Sequence, residues 1–177
     1  RDARALAALD LARVASGSWR DVPRSSLPPQ VLSPNPGVER LGSVLTVLLD
    51  PAVELHLATG DPRYLELARR VLAQADANPP LALLKQSLAG TDAAFIATGK
   101  AYQLAWNMVG MAKLHRVTGE ADLLRAVENV WTSIRDHHLT LGGGPWGGVA
   151  HRSREVFNAP GAFSPEGYVE TCSTLAW

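Results

Sequence analysis

The sequence predicts an all-α fold of stacked helical hairpins, and three observations carry that prediction. Two segments, ELHLATGDPRYLELARRVL at 54–72 and KLHRVTGEADLLRAVENVW at 113–131, align without gaps. Apolar residues along both recur at helical spacing. Short strands with alternating polarity are missing. Hairpins repeating with a period near 60 residues suggest an open solenoid, or a closed (α/α) toroid whose inner helices ring a cavity. Periodicity leaves both arrangements open.

Each repeat reads Leu-His-x-x-Thr-Gly-acid and then an amphipathic stretch. Gly60 and Gly119 suit the left-handed conformation that ends a helix. Asp61 and Glu120 then place negative charge at the start of the next helix, and Pro62 fits its first position. The first helices, VLTVLLDPAVELHLA and YQLAWNMVGMAKLHRV, are apolar over a wide arc and predict burial on several sides. The second helices carry narrower stripes: Tyr64, Leu65, Ala68, Val71 and Leu72 in one, Leu123, Leu124, Val127, Val130 and Trp131 in the other. The hairpins are expected at about 42–76 and 99–138, with a further helix starting within 168–177.

His56 and His115 occupy equivalent positions, which assigns them a structural role at the turn, contacting the last helical carbonyls. His137 and His138 end a helix, where a partly protonated imidazole is favourable against the dipole. The proline-rich segment at 25–39 cannot be regular. The glycine- and proline-rich stretch at 141–167 is read as a functional loop, because Trp146, Phe157 and Phe163 argue against disorder.

With 177 residues the chain suits one domain spanning 1–177. Lys+Arg and Asp+Glu both number 17, so no global field favours nucleic acid or an anionic membrane. No apolar run approaches the ~18 residues that span a bilayer. The start is amphipathic, a pattern that is not expected of a signal peptide. A soluble protein is expected; the compartment stays open, with the cytoplasm favoured. The single cysteine excludes an internal disulfide. Both ends fall inside helical patterns, as expected of a segment of a longer chain.

Glu170 and Cys172 are the sharpest chemical pair. Two residues apart, they diverge on a regular helix. On an extended or irregular approach to a helix they can converge on one ion, and carboxylate with thiolate suits zinc, given further ligands from elsewhere. The competing reading makes Cys172 a small buried apolar residue at a helix start. Glu155, in the long loop, is a candidate general acid with a raised pKa, or a solvated glutamate paired with Arg152 or Arg154. Glu166 is the rival carboxylate. His151 is the histidine expected to touch a ligand, with Trp146 and Tyr168 as further substrate-binding candidates. The glycines at 142–144 form no phosphate loop, lacking a preceding strand and a following Gly-Lys-Ser/Thr.

In order along the chain stand Gly99-Lys100, VGMAKLHRVTGE, ENVW, GGG, Glu155-Val156-Phe157 and Glu170-Thr171-Cys172. This succession, from about residue 44 to 177, resembles the beta-L-arabinofuranosidase family, glycoside hydrolase family 127. The resemblance implies an (α/α)6 toroid, present in part, and retaining hydrolysis of L-arabinofuranoside-like sugars of plant or bacterial glycans. It implies a carbohydrate substrate and zinc. Glu170 and Cys172 match the family's glutamate and cysteine zinc ligands, and Glu155 matches its general acid/base. The remaining zinc cysteines, one of them the nucleophile, lie beyond this segment, so residues 1–177 alone are expected to be inactive. Two positions depart from the pattern: Ala101 where many members have histidine, and Arg154 where glycine usually precedes E-x-F. The alternatives are a non-catalytic helical scaffold binding carbohydrate or protein, and another toroid chemistry relying on His151, Tyr102 or Tyr168.

Overall fold

The computed structural model describes residues 47–79, 81–97, 100–147, 156–162 and 167–177. His151, Arg152, Arg154, Glu155, Phe163, Glu166, Gly99 and the proline-rich segment 25–39 lie outside the described residues. The described chain is all-α apart from one minimal ribbon. Its helices are α1 (Leu49–Thr59), α2 (Pro62–Ala77), α3 (Leu83–Leu88), α4 (Ala101–Thr118), α5 (Ala121–His137) and α6 (Thr171–Ala176), with a 3₁₀ turn at Ala93–Phe95. Helices α1, α4 and α6 pack in succession, while α2 and α5 pack against α1 and α4 respectively.

The repeated motif is a hydrogen-bonding template. Gly60 and Gly119 take φ of 69° and 74°, and their N–H groups donate to the carbonyls of His56 and His115. Thr59 and Thr118 accept the N–H of the following acid at 3.2 and 3.3 Å. The imidazoles reach across the turn: His56 Nδ1 lies 3.0 Å from Asp61 O, and His115 Nδ1 lies 2.9 Å from Glu120 O. A carbonyl only accepts, so Nδ1 carries the proton in both. The histidines thus hold the first carbonyl of the next helix, whereas the sequence reading placed them on the last carbonyls of their own. Asp61 also caps α2 through Arg63 N at 2.9 Å, a contact of the kind contributing about 1 kcal/mol.

Helix α4 is buried on most sides, through Leu104, Met108, Met111 and Leu114 but also through Gln103 and Asn107. Gly110 permits close contact with α1, since a Cβ there would sit 2.8 Å from Leu49 Cγ and 2.9 Å from Asp50 N. On α5 the buried line is Leu123, Ala126, Val130 and Ile134. Leu124 and Trp131, expected in that stripe, are 38% and 43% exposed. They lie roughly 90° around the helix from the line facing the core. Trp131 instead stacks parallel to Trp177, centroids 6.0 Å apart.

Between the hairpins, α3 and the 3₁₀ turn are held by side chains remote in sequence. Asp76 Oδ1 accepts Leu84 N at 2.7 Å and Lys85 N at 3.2 Å, satisfying the start of α3. Asn129 Nδ2 donates to the carbonyls of Ser87 and Leu88 at its end. The asparagine of ENVW is therefore a helix-end clamp.

The stretch at 141–167 departs from a free loop. Trp146–Gly147 (β1) pairs antiparallel with Tyr168–Val169 (β2), with Trp146 opposite Val169. Leu139 bridges to Pro145, and Val156 bridges to Lys100. Backbone pairing at these points ties the stretch to α4 and to the approach to α6. No described helix is long and apolar enough to cross a membrane.

Candidate active site

Glu170 is the N-cap of α6, with φ −104° and ψ 129°, and the helix begins at Thr171. Because Glu170 is extended and Cys172 helical, the divergence of a regular helix does not apply. The Glu170 carboxylate lies beside the Cys172 thiol, within hydrogen-bonding reach. Burial pushes the thiol up from its ordinary value, and the Glu170 carboxylate adds to that rise through its hydrogen bond and its charge. With its pKa raised, the Cys172 thiol is a poor nucleophile by itself.

Glu170 Oε2 is buried and has no hydrogen-bond partner. A buried acceptor left unmade costs about 1–3 kcal/mol, more when charged. A cation would relieve both conditions, by pairing with the oxygen and by stabilising the thiolate. The donor set fits zinc, which takes carboxylate oxygen and thiolate sulfur in tetrahedral sites. Among the described residues no group of three or more His, Cys, Asp or Glu could hold a metal ion. A metal held by this pair would need donors beyond the described residues.

The glycine run supports this corner sterically. Thr140 N donates to Gly144 O at 3.0 Å and Gly143 N to Thr140 O at 2.9 Å, closing a tight turn. Gly143 has φ 86°. A Cβ on Gly144 would sit 2.5 Å from Thr174 Oγ1 and 2.9 Å from Val169 Cγ1. The backbone at 144 thus lies against the first turn of α6, and β1 runs from there to pair with β2, directly before Glu170.

A second anchored segment is Val156–Phe157, both buried. Phe157 packs on the His138 ring with centroids 4.7 Å apart. His138 is 2% exposed, and its Nε2 lies 2.9 Å from Asp92 Oδ1. The other Asp92 oxygen accepts Ser133 Oγ at 2.8 Å. Ser, His and Asp meet here, yet the serine hydroxyl goes to the carboxylate and not to the imidazole, so no nucleophile is activated. Burial lowers the His138 pKa below its ordinary value despite the Asp92 contact, leaving it neutral. The expectation of a partly protonated imidazole facing the dipole is corrected for His138, because the ring is buried. Sequence reasoning missed Asp92 altogether, since its partners lie 41 and 46 residues away.

The described geometry brings Glu170 and Cys172 together. It places Trp146 and Tyr168 on the paired strands leading to them. Glu155 directly precedes Val156, but it and His151 lie outside the described residues. Tyr102 accepts a hydrogen bond from Gln103 Nε2 at 3.3 Å and carries Lys100 Nζ over its ring at 4.9 Å.

Residues 42–177 match the family described as Beta-L-arabinofuranosidase, GH127 catalytic domain. The chain belongs to this family. The match takes in both hairpins, the glycine run, Glu155 and the Glu170–Cys172 corner. Compared with curated proteins and with solved structures, the chain has no match. Membership in GH127 makes it a glycoside hydrolase with a carbohydrate substrate, of the group acting on arabinofuranosides.

Proposed function

We propose that the protein is a retaining glycosidase of L-arabinofuranoside-like sugars, in which Glu170 and Cys172 hold zinc and Glu155 is the general acid/base. The observation that carries this reading is the buried, unpartnered Oε2 of Glu170 beside a thiol whose pKa is raised. When bound, zinc supplies the positive charge that keeps cysteine sulfur deprotonated at neutral pH. Helices α1, α4 and α6 backed by α2 and α5 form, in this reading, an arc of the (α/α)6 toroid.

The protein's own groups then divide the work. A cysteine outside residues 1–177 attacks the anomeric carbon, its sulfur forming a bond as the glycosidic C–O bond breaks. Glu155 gives its proton to the departing oxygen. In the second half Glu155 takes a proton from water as the water oxygen displaces sulfur, releasing the sugar with retained configuration. Trp146, His151 and Tyr168 contact the sugar.

Zinc content of the full-length protein tests the corner, measured with and without Cys172→Ser and Glu170→Gln. Both variants should lose bound zinc, and an unchanged stoichiometry removes the ligand assignment. Glu155→Gln should lower the rate on an unactivated arabinofuranoside by roughly 10²–10⁴-fold.

A further inference from the structure

We propose that Ser173 is a positioning residue of the Glu170–Cys172 corner, its hydroxyl being the donor that the Cys172 sulfur accepts from once it is a thiolate. The inference rests on the zinc reading of Glu170 and Cys172 and adds a third side chain to it.

Ser173 is 1% exposed, and its Oγ is buried without a hydrogen-bond partner. Other hydroxyls set into the helices are satisfied. Ser87 Oγ donates to Leu83 O at 2.7 Å, and Ser133 Oγ donates to Asp92 Oδ2 at 2.8 Å. One residue beyond Ser173, Thr174 Oγ1 donates to Glu170 O at 3.2 Å. A helical serine ordinarily finds the carbonyl four residues back. For Ser173 that residue is Val169, which lies in β2 and not in the helix. An alanine would fill the same space without the cost of desolvating a hydroxyl.

The chemistry beside Ser173 accounts for the hydroxyl. Its O–H and its N–H both lie beside the Cys172 sulfur, yet the O–H closes no bond there. Thiol sulfur is a weak acceptor, whereas hydrogen bonds to an ionised acceptor are roughly twice as strong as neutral ones. The arrangement therefore suits the thiolate that a bound cation would maintain. Glu170 points the same way. As N-cap of α6 its carboxylate would ordinarily accept an N–H of its own helix, but it makes no such bond and keeps Oε2 unpartnered. A competing partner lies on α4, against which α6 packs. Gln103 Oε1 and Asn107 Oδ1 are buried acceptors without partners, and a hydroxyl turned to either would serve the helix contact alone.

The test measures zinc affinity of the full-length protein by competition with a chromophoric chelator. Ser173→Ala should weaken binding by roughly 10-fold, as loss of a group that orients a metal ligand does. In the cobalt-substituted protein the same variant should move the sulfur-to-cobalt charge-transfer band to longer wavelength, because a thiolate that has lost a donor gives up its electron more readily. Ser173→Thr keeps the hydroxyl and should restore both values. An affinity within about 2-fold of the parent, or an unmoved band, overturns the proposal. So does a fall in the thermal midpoint with neither metal readout changed, the mark of a hydroxyl directed at Gln103 or Asn107. If Cys172→Ser and Glu170→Gln keep their zinc, the ligand assignment fails first and takes this inference with it. If they lose zinc and Ser173→Ala does not, the role of Ser173 alone falls. Should threonine prove too large for the buried position, the alanine comparison decides.

Discussion

Asp92 Oδ1 and His138 Nε2 lie 2.9 Å apart in a pocket where the imidazole is 2% exposed. Burial is the larger influence on His138 and holds its pKa below the ordinary 6.5. The unfolded chain therefore binds a proton near pH 6.5 that the native chain refuses. Stability from this group is complete above that pH and declines as the pH falls below it. Burial pushes the Asp92 carboxyl up, but hydrogen bonds from Ala94 N–H, His138 and Ser133 together hold it below 3.8, so its own loss comes only at lower pH. Urea unfolding midpoints should be flat from about pH 8 to 7 and fall between about pH 6.5 and 5, and His138→Gln should flatten that fall.

Asn129 spans from α5 to the end of α3, donating to Ser87 O at 3.0 Å and Leu88 O at 3.3 Å. Asn129→Ala should cost about 1–2 kcal/mol, from two lost hydrogen bonds in a part-buried setting. Asn129→Asp should cost more, because a carboxylate would face two carbonyl oxygens. Denaturant titration of the three proteins checks the order.

The glycines at 142 and 144 should respond differently to the same substitution. Gly144→Ala drives a Cβ into Thr174 Oγ1 and Val169 Cγ1, whereas Gly142→Ala meets nothing nearer than Thr140 Oγ1 at 3.6 Å. The first should cost about 1–3 kcal/mol. It should also lower zinc content in the full-length protein by displacing the start of α6. The second should leave both unchanged, as thermal melts and metal analysis would report.

Lys113 Nζ lies 2.7 Å from Asp50 Oδ1 and 2.6 Å from Glu54 Oε1, joining α4 to α1. Asp50 is only 16% exposed in its side chain, Glu54 53%. Lys113→Met leaves two carboxylates facing each other one helical turn apart. A loss of about 2 kcal/mol is expected, between the values for surface and buried pairs. The loss should shrink at high salt, which unfolding titrations at two ionic strengths would show.

The hairpin turns were legible because their contacts are local. Every bond of the Leu-His-x-x-Thr-Gly-acid motif connects residues at most five apart, so one short string specifies the whole turn. The extended residue that would let Glu170 turn toward Cys172 was a condition the sequence could only state, and Glu170 meets it as the N-cap of α6. Helix α3 was not legible, since its six residues are too few to display a period and rely on Asp76 and Asn129. The stripe on α5 was misjudged at Leu124 and Trp131, because periodicity marks an apolar face without saying which part meets a neighbour.

By itself the sequence determined the helical class, the hairpin turns and the ordered motifs that mark the family, all of which depend on residues close along the chain. Only the tertiary structure decided that His138 is buried against Asp92 and Phe157, that Gly144 must lack a side chain, and that Glu170 keeps a buried oxygen without a partner. Each of these depends on which distant surface arrives beside the residue and how much water it displaces. Burial and charge pairing are properties of that meeting, and no local pattern encodes them.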